Sequence, residues 1–150
     1  MSRLLILLLC PILLFAEEFM AKVIRAVDGD SVNVLRLPEK EELKLRLYGI
    51  DAPEWKQAYG KESKDALKGF LGPNTEISVK VLDKDRYGRL IAVCFSGEVN
   101  INATMVREGW AIAYRYYSKD YVNEEEIAKA KKKGIWQGSF VEPYIWRKNN

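Results

Sequence analysis

The chain has 150 residues, of which 48% are apolar and 30% are charged, and its formal net charge is +3. This composition is typical of one globular domain and excludes disordered, fibrous and polytopic membrane proteins. The sequence contains no His, which excludes a His general base, Ser–His and Cys–His nucleophile pairs and His-ligated zinc. Acid–base chemistry must therefore use carboxylates, Lys or Tyr.

Residues 1–16 have the pattern of a secretory signal peptide, with a short cationic start, an apolar run over 4–15 and then the small Ala16. This run has 12 residues, whereas a membrane-spanning helix needs roughly 20, so the pattern favours a cleaved signal peptide over a permanent anchor. Lipidation at Cys10 is a further alternative, which the bulky Leu9 disfavours. We therefore expect an exported protein, periplasmic or secreted, whose membrane contact is through the signal peptide, with a tethered form as the alternative.

The remainder of the chain, residues 17–150, is predicted to form one domain, because no repeat, low-complexity tract or linker interrupts it before Gly134. Cleavage after Ala16 leaves Cys94 as the one cysteine, so no intrachain disulfide can form and the domain must depend on its hydrophobic core. The last 14 residues hold aromatic side chains, which predicts a C-terminal extension that packs on the domain.

Five segments have the β-branched content, or the two-residue apolar alternation, that is typical of β-strands. In the third segment the alternation places Leu43, Leu45 and Leu47 on the core side and directs Arg46 away from them. The predicted strands lie at residues 19–27, around 32–34, and at 43–48, 75–82 and 89–95.

Three further segments are predicted to be helices. Apolar residues recur at helical spacing over 53–71, where Pro53 suits a first helical position and Gly72 ends the run. A short helix is predicted over 100–109, and another over 123–133, with an Asn at its start and Gly after its end. Five strands with three helices indicate a mainly β fold of the α+β class.

Four polar clusters fall at the predicted ends of these elements. Carboxylates at a turn and at a strand end can converge on one hard cation, since Ca²⁺ accepts oxygen ligands from acids, backbone carbonyls and water. Zinc is disfavoured, because its usual ligands are His and Cys and residues 17–150 offer no His and no pair of Cys. The clusters are Asp28–Ser31, Arg46–Glu54, Asp85–Arg89 and Gly109–Tyr116.

Arginine beside such a cation has a specific use, because a planar guanidinium binds phosphate oxygens through two parallel hydrogen bonds and stays charged. A metal ion and two arginines would stabilise the negative charge that develops when water attacks a phosphodiester. Glu54 is then the carboxylate left for the attacking water. Taken singly, each cluster also fits a structural role: a turn at 28–30, a surface ion pair at Arg46, a helix entry at Asp51 and a hairpin corner at 87–89.

In combination and in this order, the clusters resemble the thermonucleases of the staphylococcal-nuclease type. Val27–Ser31 is similar to the first acidic turn of that family, Arg46–Glu54 to its central signature and Asp85–Arg89 to its third motif. Gly134–Trp136 is similar to its closing motif. The resemblance covers nearly all of residues 19–136.

The resemblance implies an OB-fold, a five-stranded β-barrel that carries about three helices and an active site on its flank. It implies that Asp30 and Asp51 are carboxylate ligands of Ca²⁺. The backbone carbonyl of Ala52 would be a third ligand, and Asp28 would support the site without binding the ion directly.

The resemblance also implies that Arg46 and Arg89 bind the phosphate and that Glu54 engages the attacking water. Whether Glu54 takes the proton or only orients the water stays open at this level. The residues implied to line the nucleotide pocket are Tyr87, Tyr114 and Tyr116.

The chain departs from the family pattern at three places. Ala52 and Ser31 replace threonines that are more usual, and the stretch over 75–89 is shorter and less rich in lysine than in the best-known member. Since the carbonyl of Ala52 would meet the metal, its side chain matters little for the ligand set. Fewer lysines at the rim of the substrate site predict lower affinity for long nucleic acids, because basic side chains bind their phosphates.

We therefore expect an exported, Ca²⁺-dependent nuclease that hydrolyses DNA and RNA with little sequence preference, as a monomer without a stable protein partner. The resemblance implies cleavage of the 5′ P–O bond, which leaves 3′-phosphorylated products. The alternative is a non-catalytic OB-fold module that binds nucleic acid. Loss of the acids or arginines would favour that alternative, and the sequence retains them.

Overall fold

The computed structural model describes residues 16–150. The predicted signal peptide, up to residue 15, lies outside the described residues. The strands are β1 (Glu18–Ala26), β2 (Ser31–Arg36), β3 (Glu41–Leu47), β4 (Ile50–Asp51), β5 (Glu76–Lys84), β6 (Leu90–Ser96), β7 (Val99–Asn100) and β8 (Ile112–Ala113). The helices are α1 (Gly60–Phe70), α2 (Ile101–Arg107), α3 (Val122–Ala130) and α4 (Pro143–Asn149), with a 3₁₀ turn at Gly134–Gln137.

Five of the strands form a closed barrel. Neighbours in the order β3-β2-β1-β5-β6 pair antiparallel, and a parallel pairing of β3 with β6 closes the sheet on itself. The short β7 extends β6, while β4 and β8 form a separate two-stranded pair. The predicted five-stranded OB-type barrel of the α+β class is thus confirmed, and no strand edge remains open between β3 and β6.

The barrel interior is filled by the apolar side chains that alternate along the strands. Leu45 and Leu47 of β3 are fully buried, as the alternation predicts, whereas Leu43 is partly buried at the barrel end. Other strands add fully buried residues to the same core: Val32, Val34, Ile77, Val79, Ala92 and Cys94. Because successive side chains face opposite sides, Arg46 is directed outward from this core, toward the barrel flank.

The first helix begins later than the sequence predicts. α1 starts at Gly60 instead of Pro53, because the intervening residues form consecutive turns, with Gln57 N–H donating to the Glu54 carbonyl at 2.9 Å. Tyr59 then adopts the left-handed region at φ 68°, which a right-handed helix cannot include. The consequence is that Glu54 lies in a turn beside the barrel and not on a helix face.

The other helices differ from the sequence in small ways. α2 begins as predicted, with the Asn100 side chain accepting a hydrogen bond from Ala103 N–H at 3.0 Å. The predicted Asn123 cap is wrong, since α3 begins at Val122 with no side-chain cap. A fourth helix, α4, lies in the C-terminal extension. Over residues 16–150, no helix is long and apolar enough to cross a bilayer.

Asn102 fixes α2 to the barrel from a fully buried position. Its side-chain carbonyl accepts from Cys94 N–H at 3.1 Å, and its amide donates to the carbonyls of Tyr48 and Ala92, each at 3.0 Å. These three bonds join α2, β6 and the loop after β3. The segment that leads from β3 to β4 is therefore held against the barrel.

Two glycines let the ends of α2 and α3 meet. Gly109 and Gly134 both have positive φ, and a Cβ at either would overlap the backbone carbonyl region of the other segment. The contact is closed by Ile135 N–H, which donates to the Gly109 carbonyl at 2.8 Å. This explains why a glycine precedes the Ile-Trp pair at the end of the domain.

Gly134→Ala should destabilise the protein more than Gly97→Ala, which is its matched control. Gly97 has a similar φ of 59°, but nothing lies within 4 Å of a Cβ built there, so its substitution should cost about 1–2 kcal/mol of backbone strain. Gly134→Ala adds a backbone overlap and should cost roughly 1–3 kcal/mol more. Urea unfolding measures both, and equal losses would contradict the close contact.

Candidate active site

The acidic turn between β1 and β2 directs Asp30 into the molecule. Asp30 N–H donates to Asp28 Oδ1 at 3.0 Å, and Ser31 Oγ donates to Asp30 Oδ1 at 3.2 Å. Asp30 Oδ2 accepts from Ala52 N–H at 2.7 Å, and the residue is 6% exposed. These bonds hold the turn against the end of β4, so acids from two distant parts of the sequence become neighbours.

Arg46 joins these acids. Its Nη1 donates to the carbonyls of Leu47 and Ile50 at 2.8 and 2.9 Å. Its Nη2 lies 3.1 Å from Asp30 Oδ2 and 3.4 Å from Asp51 Oδ1. Because one nitrogen contacts both carboxylates, Asp30 and Asp51 face the same point in space.

The donor set at this point suits a hard cation. Asp51 is fully buried in β4, Asp30 is nearly so, and the Ala52 backbone follows directly. Within residues 16–150 there is no group of three or more His, Cys, Asp or Glu side chains that could hold a metal. A cation here would consequently bind two carboxylates and complete its shell with carbonyl oxygen and water, which Ca²⁺ and Mg²⁺ both accept.

Burial and the charge of a neighbouring carboxylate raise the pKa values of two acids in this cluster. Burial raises the pKa of Asp51 to about 6, and the charge of Asp30 adds to the effect while the Arg147 hydrogen bond opposes it. Burial, followed by the charge of Asp30, raises the pKa of Asp28 to about 7. The site thus holds negative charge in a poorly solvated place, which a cation would stabilise.

Closure of the barrel brings Arg89 to the same side of the molecule as Arg46, where both line a cleft. Arg46 pairs with Ile91 across the parallel β3–β6 contact, and Arg89 lies just before β6. Asp85 orients Arg89 by accepting from its Nε at 2.7 Å and from its backbone N–H at 3.0 Å. Both arginines line one cleft of about 760 Å³, together with Glu54.

Three tyrosines line this cleft. Tyr87 and Tyr114, both named from the sequence, are among them, whereas Tyr116 lies on a neighbouring cavity. Tyr117 takes the third place, with its ring centroid 5.3 Å from that of Tyr114. Sequence reasoning missed Tyr117, although the consecutive tyrosines at 116–117 were a visible signal.

Arg147 is the second residue that sequence reasoning missed. Its Nη1 donates to Asp51 Oδ1 at 3.0 Å and to Glu54 Oε1 at 2.9 Å, and its Nη2 donates to Asp51 Oδ2 at 3.1 Å. This arginine comes from α4, more than ninety residues along the chain from the two acids. No local pattern could have linked it to them, because only the fold places α4 over the cleft.

The fold is a small OB-type barrel with paired acids and arginines on one flank, and comparisons with known proteins identify the family. A model described as staphylococcal nuclease homologue matches residues 44–138. The chain is 37% identical over 146 residues to a micrococcal nuclease of Shigella flexneri, covering 87% of this chain and 82% of that protein. It is 36% identical over 130 residues to an uncharacterized endonuclease of Escherichia coli, covering 84% and 83%.

A thermonuclease of Staphylococcus hyicus is 34% identical over 134 residues, with 81% of this chain and 78% of that protein covered. The chain belongs to the staphylococcal nuclease family, which confirms the resemblance seen in its motifs. The matched segment contains Arg46, Asp51, Glu54 and Arg89. It ends before α4.

Glu125 supports the tyrosine side of the cleft from α3. Its side chain is 1% exposed, its Oε1 accepts from Ala113 N–H at 3.1 Å, and its Oε2 lies 2.6 Å from Arg115 and 3.1 Å from Lys129. Although burial raises the pKa of Glu125, the hydrogen bonds from Arg115 and Lys129 outweigh it, and the net pKa falls below 4.5. The carboxylate therefore fixes β8 just before Tyr114.

Glu125→Gln should lower the free energy of unfolding by about 1–3 kcal/mol at pH 7. Because folding lowers the pKa of Glu125, its contribution is present above the unfolded value of 4.5 and is lost as pH falls through the lowered pKa. Urea unfolding of both proteins between pH 7 and pH 3 should show the difference shrinking with acid.

Glu126→Gln is the matched control, since Glu126 is on the same helix and its side chain is 61% exposed. It should change stability by less than about 0.5 kcal/mol at every pH. A pH-independent loss in Glu125→Gln would show that packing, and not the charge, explains the effect.

Proposed function

We propose that this protein is a Ca²⁺-dependent nuclease that hydrolyses phosphodiester bonds of DNA and RNA with little sequence specificity and leaves 3′-phosphorylated products. Membership of the staphylococcal nuclease family supports nucleic acid as the substrate class. The observation that carries the proposal is the single Arg46 nitrogen in contact with both Asp30 and Asp51. It supports the proposal because a guanidinium suited to phosphate lies beside two carboxylates suited to a hard cation.

The cation would be held by Asp30, Asp51 and the carbonyl of Ala52. When bound, it would supply positive charge that stabilises the negative charge developing on the phosphate oxygens. Ca²⁺ is the cation that the family resemblance implies, and an all-oxygen donor set suits it.

The chain's own groups would do the remaining work. Arg46 and Arg89 donate hydrogen bonds to the non-bridging oxygens and bind the phosphorus centre more strongly as its charge increases. Glu54 accepts a hydrogen bond from the attacking water and orients it toward phosphorus, or takes its proton. A bond from the water oxygen to phosphorus forms and the water gives up a proton. The bond from phosphorus to the 5′ oxygen breaks, its electron pair stays on that oxygen, and the 5′ oxygen takes up a proton from solvent and leaves as a hydroxyl.

The tyrosines of the cleft suit unpaired nucleotides. Tyr87 is 69% exposed and lies beside Arg89, whose guanidinium carbon is 5.8 Å from the ring centroid. Exposed aromatic rings stack on any base, because every base has a π-face. This supports binding of single strands or frayed ends without sequence readout.

We also propose that the protein is exported and functions as a monomer. Export rests on the signal-peptide pattern of residues 1–16. A cation site of modest affinity suits extracytoplasmic calcium levels better than cytosolic ones.

The test is incubation of the purified protein with plasmid DNA and with RNA, in Ca²⁺ or in a calcium chelator. We expect degradation of both polymers in Ca²⁺ alone, and product ends from which a phosphatase releases 3′ phosphate. Binding without degradation would favour the non-catalytic OB-fold module, and degradation in chelator would contradict the cation requirement.

Glu54→Gln should lower kcat about 10²–10⁴-fold, because the amide cannot accept the proton of the attacking water. The dissociation constant for a short oligonucleotide should stay within a few-fold of the parent, since the phosphate contacts are made by the arginines. Glu98→Gln, at an exposed position away from the cleft, is the control. Turnover near the parent value would remove Glu54 from the reaction.

Arg89→Lys should lower kcat/KM about 10²–10³-fold, since an ammonium group lacks the planar fork that binds two phosphate oxygens. Steady-state kinetics on an oligonucleotide measures the effect. Arg25→Lys is the matched control, because Arg25 is exposed on β1. Unchanged kinetics in Arg89→Lys would show that Arg89 does not contact the phosphate.

A further inference from the structure

The C-terminal helix places a positive charge on the carboxylates that would bind the cation. Arg147 uses both of its terminal nitrogens on the two oxygens of Asp51, at 3.0 and 3.1 Å, and shares one of them with Glu54 at 2.9 Å. Asp51 is fully buried, so these contacts occupy a carboxylate that water does not reach. α4 lies beyond the segment matched by the family model.

Most residues of α4 are only partly covered by the domain. Pro143 is the one buried residue among the seven of α4, while Tyr144 and Ile145 are 37% and 38% exposed. Ahead of the helix, Gln57 Nε2 donates to the Val141 carbonyl. Arg147 supplies the ion pairs between α4 and the cleft, in addition to the burial of Pro143 and the partial burial of the neighbouring apolar side chains.

A divalent cation on the Asp51 oxygens would lie at contact distance from the Arg147 guanidinium. Each oxygen already accepts a hydrogen bond from Arg147, and two positive charges at contact distance in a buried site repel each other strongly. Arg46 differs, because its guanidinium is also bound by the carbonyls of Leu47 and Ile50 and belongs to the barrel. Arg147 belongs to α4, which is not part of the barrel.

We propose that Arg147 is an internal cation that competes with the divalent cation for Asp51 and Glu54, so that cation binding releases α4 from the cleft. The proposal rests on the proposed function, because it concerns the same cation site. It makes Arg147 a residue that sets the cation affinity, and it makes the C-terminal segment a reversible cover over Glu54. The competing possibility is that Arg147 is a third phosphate-binding arginine.

The test is isothermal titration of Ca²⁺ into the parent protein, Arg147→Gln and Lys148→Gln. Arg147→Gln should lower the Ca²⁺ dissociation constant roughly 5–150-fold, the range of typical coupling between two sites. Lys148→Gln removes the same charge from the same exposed helix and should change it little. General structural damage would weaken binding, so tighter binding is a specific result.

A chain ended after Phe140 gives a second variant without α4, and it should also bind Ca²⁺ more tightly. Amide hydrogen exchange over residues 141–150 of the parent should become faster when Ca²⁺ is added, and Asp51→Asn should abolish that response. An unchanged or weaker Ca²⁺ affinity in Arg147→Gln, or slower exchange of α4 with Ca²⁺, would overturn the proposal.

Two other outcomes separate this proposal from the proposed function. If Arg147→Gln leaves Ca²⁺ affinity unchanged but weakens oligonucleotide binding, Arg147 is a phosphate ligand and the cover is excluded. If neither the parent nor the variants bind Ca²⁺, the cation requirement of the proposed function is wrong. The proposed competition between Arg147 and the cation is then wrong as well.

Discussion

The site depends on the contacts that the Arg46 guanidinium makes with two carboxylates and two backbone carbonyls. Its Nη1 holds the carbonyls of Leu47 and Ile50, and so fixes the turn that leads from β3 into β4. Its Nη2 holds Asp30 and Asp51 toward one point. Without this fixed positive charge, two buried carboxylates that face the same point would repel each other, and one would become protonated.

The parallel closure of the barrel brings a second arginine close to this contact. β3 and β6 are far apart in sequence, yet their pairing brings Arg46 alongside Ile91 and places Arg89 at the rim of the same cleft. Asp85 then fixes the direction of Arg89 through two hydrogen bonds. The closure of the barrel thus brings both guanidinium groups to one cleft.

The cleft is a site in which charge is compensated internally. Burial raises the pKa values of Asp28 and Asp51, which shows that the acids gain too little from water to remain easily ionised. Arg46 supplies compensation from the barrel, and Arg147 supplies it from the C-terminal helix. Under the proposed competition, a bound cation would replace the charge of Arg147 at Asp51, which would link cation binding to the position of α4.

The sequence by itself determined the barrel strands and the residues that the barrel brings together. Alternation of apolar residues along β3 buried Leu45 and Leu47, and the same period directed Arg46 outward to the acids. These features are local, because a strand's period of two fixes which side chain faces the core.

The tertiary structure alone decided where α1 begins, which tyrosines share the cleft and where Arg147 lies. The left-handed Tyr59 delays the helix, and this keeps Glu54 in a turn. The arrangement of the 114–117 turn places Tyr117 on the cleft and Tyr116 beside it. Arg147 meets Asp51 across ninety-six positions of sequence, and contacts of that range depend on how separate elements pack, which no local residue pattern encodes.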